Sequence, residues 1–154
     1  MSVVAGIRPP YSEDAERAAL GAMLLAADAI VRAVELVDET MFYREPNRRI
    51  FRAMLALHRA GSVIDPVTLP DQLERQGDLA AIGGREYIGE LLYDVPTAAN
   101  VEYHLKIVKR KALERRLLQL SEDVAAEVAT GQMEPTEISA AFRALLESLE
   151  RTNG

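Results

Sequence analysis

The chain has 154 residues, 49% hydrophobic and 27% charged, which suits one globular domain with a hydrophobic core, or a small domain with an appendage. Eighteen basic and 24 acidic side chains leave a formal charge of −6, which argues against a dedicated nucleic-acid-binding protein, since such proteins are normally basic overall. The sequence contains no cysteine, so disulfides, thiolate metal sites and a cysteine nucleophile are excluded.

The first 14 residues hold no long apolar run, and their one arginine is followed by two prolines. This pattern predicts neither a signal peptide nor a membrane anchor. We therefore expect a cytoplasmic protein that does not enter a membrane.

Nearly every later segment has apolar residues at helical spacing, and no segment alternates as a strand would. After an extended arm over residues 1–11, Ser12 is predicted to cap a first helix, whose first turn carries acidic residues. The apolar face of this helix comprises Leu20, Met23 and Leu24. Asp28 is predicted to cap a second helix, with Ile30, Val34 and Val37 on its apolar side.

The next segment bends and then forms a third helix. Phe42 and Tyr43 are predicted to fill the core at the bend. Pro46 suits the first turn of the third helix, and Gly61 suits its C-terminal end.

Two shorter helices follow. Thr68 with Asp71 resembles a capping box, and Gly77 is predicted to end that helix. Gly83 and Gly84 precede another helix, which Pro96 is predicted to end. Its apolar side comprises Tyr87, Ile88, Leu91 and Leu92.

The spacing of Gly84 and Gly89 equals that of the first and last glycines of a phosphate-binding P-loop. A P-loop, however, needs lysine and then serine or threonine after its last glycine, and here Glu90 follows. Gly89 is instead predicted to permit close helix packing. His58 and His104 lie in different helices, and no serine has a nucleophile-turn context, so we expect no catalytic, metal or cofactor site and no enzyme activity.

The C-terminal third is predicted to form a long helix over about 97–130, which Gly131 ends, and a last helix from Pro135. Helices joined by so short a turn form an antiparallel hairpin. The fold class is therefore all-α, with a compact globular helical domain followed by a C-terminal antiparallel helical hairpin. The predicted divisions are an arm at 1–11, the globular domain at 12–99, the hairpin at 100–150 and a tail at 151–154.

The predicted hairpin carries more apolar residues than its two helices can bury between them. A two-helix unit has no enclosed interior, so its apolar stripes need a third surface. A second copy of the hairpin would provide that surface, while folding back onto its own domain is the alternative. The predicted dimer interface comprises Leu113, Leu117, Leu120, Val124, Phe142, Leu145 and Leu149.

Six basic residues fall within the 11 positions 106–116 of this acidic chain. One interpretation is a solvated helix face that pairs with Glu102 and Glu114. A second is the docking of an acidic protein partner, and a third is contact with a phosphate backbone. Because no aromatic residue interleaves with the run to stack bases, a protein partner is favoured over DNA. The predicted docking residues are Lys109, Arg110, Arg115 and Arg116.

Several segments resemble the N-terminal domain of bacterial replicative DNA helicases of the DnaB family. The resemblance begins at Pro9-Pro10 and Glu16, continues through LGAMLL at residues 20–25, and is nearly continuous over residues 63–118. Single pieces are weak, but their number and order make the match specific. Further matching positions are Phe42-Tyr43, Arg48-Arg49-Ile50-Phe51, Gly83-Gly84, Tyr87, Leu91, Pro96 and Ala99-Asn100.

This resemblance implies a globular all-α domain with a hairpin that pairs between subunits, and a hexameric collar of six such domains above an ATPase ring. It also implies docking of the C-terminal domain of primase, and in some bacteria of a helicase loader. ATP, magnesium and direct contact with DNA would belong to the motor domain of the full-length helicase. The chain departs from the family pattern at His104 and Pro70, and the family match weakens toward the C-terminus. A stand-alone helical regulator that binds single-stranded nucleic acid or a replication partner remains the alternative.

Overall fold

The structure is a computed structural model that describes residues 6–95 and 97–153. The part of the chain that it describes is all-helical and contains no strand, as predicted. The helices are α1 (Glu13–Leu25), α2 (Ala29–Leu36), a 3₁₀ turn (Glu39–Met41), α3 (Glu45–Arg59), α4 (Thr68–Arg75), α5 (Gly84–Asp94), α6 (Val101–Thr130) and α7 (Pro135–Asn153).

The chain divides into two compact units, and the boundary lies between Ala112 and Leu113, inside α6. One unit spans residues 11–112 and is called here the globular unit; the other contains residues 6–10 and 113–153 and is called the hairpin unit. The sequence placed the boundary earlier, at residues 99 and 100. The difference arises because the first turns of α6 carry core residues of the globular unit, namely Val101, Leu105 and Val108.

The predicted start of α1 is confirmed, since the Ser12 hydroxyl accepts a hydrogen bond from the Ala15 backbone N–H at 3.1 Å. The predicted cap of α4 is wrong. Asp65, not Thr68, accepts from the free N–H groups at this helix start, namely those of Val67 and Thr68, each at 2.8 Å. The Thr68 hydroxyl donates instead to the Val63 carbonyl at 2.7 Å, which folds the preceding loop against the helix.

The core of the globular unit centres on Phe42 and Phe51, whose ring centroids lie 4.9 Å apart. The predicted role of Phe42 is therefore confirmed, while Tyr43 is half-buried and stacks on Tyr11 at 4.5 Å. On α2 the prediction for Val34 is wrong. Ile30, Ala33 and Val37 occupy the buried face, and Val34 at the edge of that face is 39% exposed.

The glycine that permits close helix packing is Gly21 on α1, not Gly89 as the sequence indicated. A Cβ at Gly21 would lie 2.5 Å from Val95 Cγ2 and 2.6 Å from the Leu91 carbonyl oxygen. A Cβ at Gly89 would meet nothing within 4 Å, because Gly89 faces away from the core. Close approach of α1 to α5 therefore depends on Gly21.

Helix ends agree with the predicted breakers where the structure describes them. Gly61 and Gly77 follow α3 and α4 with φ of +71° and +76°, in the left-handed region that favours glycine. Pro96, predicted to end α5, lies outside the described residues, as do residues 1–5 of the predicted arm and Gly154 of the predicted tail. The rest of that tail is helical, since α7 continues to Asn153.

Candidate interaction surfaces

The hairpin unit combines the second part of α6 with α7, joined by residues 131–134, a connection of the length found in helical hairpins. Leu120 and Ile138 are buried within this unit. The remaining predicted interface residues are less covered: Leu113, Val124, Phe142 and Leu149 are half-buried. Leu117 and Leu145 are exposed at 47% and 43%.

Three further large apolar side chains of α6, α7 and their connection are exposed and were not part of the predicted interface. They are Val128, Met133 and Leu146. Leu146 lies eight positions after Ile138, a spacing found within one apolar stripe of a helix. Helical spacing would therefore have indicated that Leu146 belongs to the apolar surface. The hairpin unit thus leaves much of its apolar surface in solvent.

The four predicted docking residues differ in exposure. Arg110 and Arg116 are exposed, whereas Lys109 and Arg115 are half-buried. Arg115 has a structural role within the hairpin unit, because its Nη1 donates to the Pro10 carbonyl at 2.8 Å. The predicted pairing of this run with Glu102 is confirmed for Lys106, whose Nζ lies 3.4 Å from Oε1 of that carboxylate.

A buried polar network inside the globular unit joins α1, α3 and α5. The Glu16 carboxylate is 1% exposed and accepts from the Tyr43 N–H at 2.7 Å, the Arg44 N–H at 3.2 Å and Asn47 Nδ2 at 2.9 Å. The Tyr87 hydroxyl in turn donates to Asn47 Oδ1. Because every buried side-chain polar atom in the described residues has a partner, this network holds the helices together without an orphaned group.

Arg17 covers the outer end of this network. Its guanidinium lies 2.6 Å from the Asp94 carboxylate, 3.6 Å from that of Glu90, and 5.3 Å from the centre of the Tyr87 ring. The hydrogen bond to Asp94 raises the pKa of Arg17, and burial raises the pKa of Tyr87. These groups therefore keep their usual protonation states at neutral pH and stabilise the packing of α1 on α5.

The two histidines line separate grooves of the globular unit. His104 lies in a groove of about 580 Å³ beside Asp14, Arg17 and Asn100. His58 lies in an apolar groove of about 320 Å³. Within the described residues no three His, Cys, Asp or Glu side chains are grouped as a metal site. The same residues include no helix that is both long enough and apolar enough to cross a membrane.

These observations define an all-helical domain whose most distinctive features are apolar and charged surfaces. Residues 8–110 match the family described as the DnaB-like helicase N terminal domain. The match covers more than half of the chain, and the chain therefore belongs to the DnaB-like helicase N-terminal domain family.

Individual relatives agree with this assignment. The chain is 36% identical over 146 residues to the replicative DNA helicase DnaC of Bacillus subtilis (strain 168), which covers 94% of this chain and 32% of that protein. It is 41% identical over 126 residues to the replicative DNA helicase DnaB of Geobacillus stearothermophilus, covering 82% of this chain and 28% of that protein. The chain thus spans about a third of the length of these relatives and corresponds to a domain apart from their ATPase motor.

Solved structures give the same fold. The crystal structure of the N-terminal domain of DnaB helicase from Mycobacterium tuberculosis superposes with a TM-score of 0.85 at 36% identity, over 91% of this chain and 99% of that one. A DnaB-like replicative helicase, studied for its interactions with primase, superposes with a TM-score of 0.73 at 21% identity, over 89% of this chain and 31% of that one. The second likeness concerns the fold alone.

Proposed function

We propose that this chain acts as the non-catalytic collar domain of a replicative DNA helicase and that its hairpin unit pairs with the hairpin of a second copy. The observation that carries this proposal is the uncovered apolar surface of residues 113–153. Leu117 and Leu145 are nearly half exposed, and Val128, Met133 and Leu146 are also exposed. Exposed apolar side chains that share one surface often mark an interaction site, and these five all belong to α6, α7 and their connection.

The energetics favour a pairing of moderate strength. Full burial of a leucine stabilises by roughly 1.5–3 kcal/mol, so covering the exposed half of Leu117 or Leu145 contributes about 1 kcal/mol each. Several such residues together are comparable to the cost of losing translational and rotational freedom on association. The dimer is therefore expected to depend on protein concentration, and six copies would form the collar in the full-length helicase.

Primase is the second proposed partner of the collar, through its C-terminal domain, with a helicase loader as a further one. Support comes from the neighbouring helicase structure that was studied for its interactions with primase. The exposed guanidinium groups of Arg110 and Arg116 would meet acidic groups of the partner, whereas Lys109 and Arg115 are more covered. No cofactor is assigned to this chain in the proposal, since ATP and magnesium would act in the motor of the full-length protein.

Light scattering of the 154-residue chain tests the pairing. Leu117→Asp places a charge in the proposed interface and should convert a dimer into a monomer without changing the helical circular-dichroism signal. Val67→Asp is the matched control, because Val67 is 75% exposed but belongs to the globular unit. A wild-type chain that is monomeric at millimolar concentration, or a Leu117→Asp variant that remains dimeric, would contradict the proposal.

A binding titration with the C-terminal domain of the cognate primase tests the second partner. Arg116→Glu should weaken binding about tenfold or more, since it inverts an exposed charge at the interface. Arg75→Glu serves as control, because Arg75 is an exposed arginine on α4. An equal loss of affinity in both variants would indicate nonspecific attraction to the acidic partner and would contradict the assignment of Arg116 as a docking residue.

A further inference from the structure

One face of the first part of α6, within the globular unit, carries an aromatic ring followed by two cations. Tyr103, Lys106 and Arg110 follow one another at intervals of three and four residues, so they lie along one side of the helix over about 10 Å. All three are exposed, and Tyr103 is 71% exposed. The sequence pattern drew attention to the basic residues and not to this ring, although Tyr103 lies opposite the buried stripe of Val101, Leu105 and Val108, so helical spacing would have indicated its exposure.

The charge around this face is opposite in sign to that of the chain as a whole. Residues 102–114 contain the four cations Lys106, Lys109, Arg110 and Lys111 against the two acids Glu102 and Glu114, a local charge of +2 (4 − 2) within a chain of net charge −6. Lys106 is paired with Glu102 at 3.4 Å, but both side chains are about half exposed. Solvated ion pairs of this kind contribute little stability, so Lys106 can leave Glu102 and bind a phosphate instead.

We propose that the face formed by Tyr103, Lys106 and Arg110 binds single-stranded DNA, with a base stacked on the Tyr103 ring and phosphates beside Lys106 and Arg110. Stacking on an exposed aromatic ring is open to the bases of a single strand, whereas the bases of a duplex already stack on each other. Nonspecific single-strand sites combine such rings with cations along the backbone. This inference goes beyond hairpin pairing, since it depends on no residue of the hairpin unit. It also goes beyond primase docking, with which it shares Arg110, since it requires the Tyr103 ring and a nucleic acid.

A second exposed tyrosine provides a matched comparison within the same molecule. Tyr93, at the end of α5, is 90% exposed, but the residues three and seven positions before it, on its side of the helix, are the acids Glu90 and Glu86. A phosphate would be repelled there. The two rings therefore differ in the charge of their surroundings and not in their access to solvent.

Fluorescence anisotropy of labelled oligo(dT) with the 154-residue chain is the test. At 50 mM salt the wild type should bind, and Tyr103→Ala should weaken binding about 5- to 150-fold, the range that corresponds to the loss of one stacked base. Tyr93→Ala should bind as the wild type. Lys106→Ala should make the negative slope of log K against log salt less steep by about 0.7, the value for one phosphate contact on a single strand. Unchanged thermal unfolding of each variant shows that the fold is intact.

Two competitors make the test decisive. Poly-glutamate offers charge without bases, and duplex DNA of equal length offers phosphates without accessible bases. Displacement by unlabelled oligo(dT) at far lower concentration than by either competitor supports the proposal. No binding at 50 mM salt, equal binding by the wild type and Tyr103→Ala, or equal competition by poly-glutamate would overturn it, and the last result would identify a surface for acidic proteins.

Discussion

The globular unit and the hairpin unit differ in how completely they bury their large apolar side chains. In the globular unit five helices and the first turns of α6 enclose one continuous core, with Phe42, Phe51 and Leu91 fully buried. In the hairpin unit Leu120 and Ile138 are covered, while Leu117 and Leu145 are nearly half exposed. A closed core determines stability within one chain, whereas an open apolar surface is available for the association between chains that we propose.

Among the described residues, the buried polar side chains are Glu16, Asn47 and Asp78, and all three belong to the globular unit. The Glu16 carboxylate receives three hydrogen bonds, from two backbone N–H groups just before α3 and from Asn47 in its first turn. Buried charges are tolerated only when they are paired in this way. Substitutions in the globular unit should therefore act on folding, and those in the hairpin unit on the proposed self-association.

Two leucine substitutions give the largest expected contrast. Leu91→Ala leaves a cavity in the closed core and should lower the free energy of unfolding by about 2–5 kcal/mol. Leu117→Ala, at a position that is 47% exposed, should lower it by less than about 1 kcal/mol at low protein concentration. Chemical denaturation followed by circular dichroism measures both. Similar losses for the two variants would show that the hairpin surface is covered within one chain.

Two glycine substitutions test the effect of close packing and the effect of helix propensity separately. Gly21→Ala forces a Cβ to within 2.6 Å of the Leu91 carbonyl, so it should destabilise by about 1–3 kcal/mol. Gly89→Ala meets no atom and replaces a helical glycine, so it should stabilise by about 0.5–1 kcal/mol. Thermal unfolding of both variants should therefore shift in opposite directions. A stable Gly21→Ala variant would mean that α1 and α5 can separate at little cost.

The helices could be predicted from the sequence because apolar spacing and breakers such as Gly61 are local signals. The prediction failed for features that depend on how the helices pack against one another. Val34 has the same periodicity as its buried neighbours, and only the position of α2 on the core leaves it exposed. Gly21 looks like any helical glycine until Val95 is placed against it. Likewise, nothing local indicates that Glu16 and Asn47 meet across 31 residues.

The buried carboxylate offers a smaller test of the globular unit. Glu16→Gln keeps the shape of the side chain but replaces one acceptor oxygen by an NH2 group, which donates and cannot accept. At least one of the three donors therefore loses its partner. We expect a loss of about 1–2 kcal/mol, the cost of an unsatisfied buried group. Glu13→Gln, at an exposed position in the same helix, should change the unfolding free energy by less than about 0.5 kcal/mol. Equal effects would show that the charge of α1 matters and the network does not.

The smallest expected effect concerns pH and the loop before α4. Backbone hydrogen bonds from Thr68 and Val67 lower the pKa of Asp65. Because the folded pKa lies below the unfolded value of about 3.9, the stabilisation is present above that value and is lost as pH falls through the folded pKa. Wild type should thus unfold at a higher temperature than Asp65→Asn at pH 7, and the difference should shrink below about pH 4. A difference that stays constant down to pH 3 would mean that the charge of Asp65 does not stabilise the start of α4.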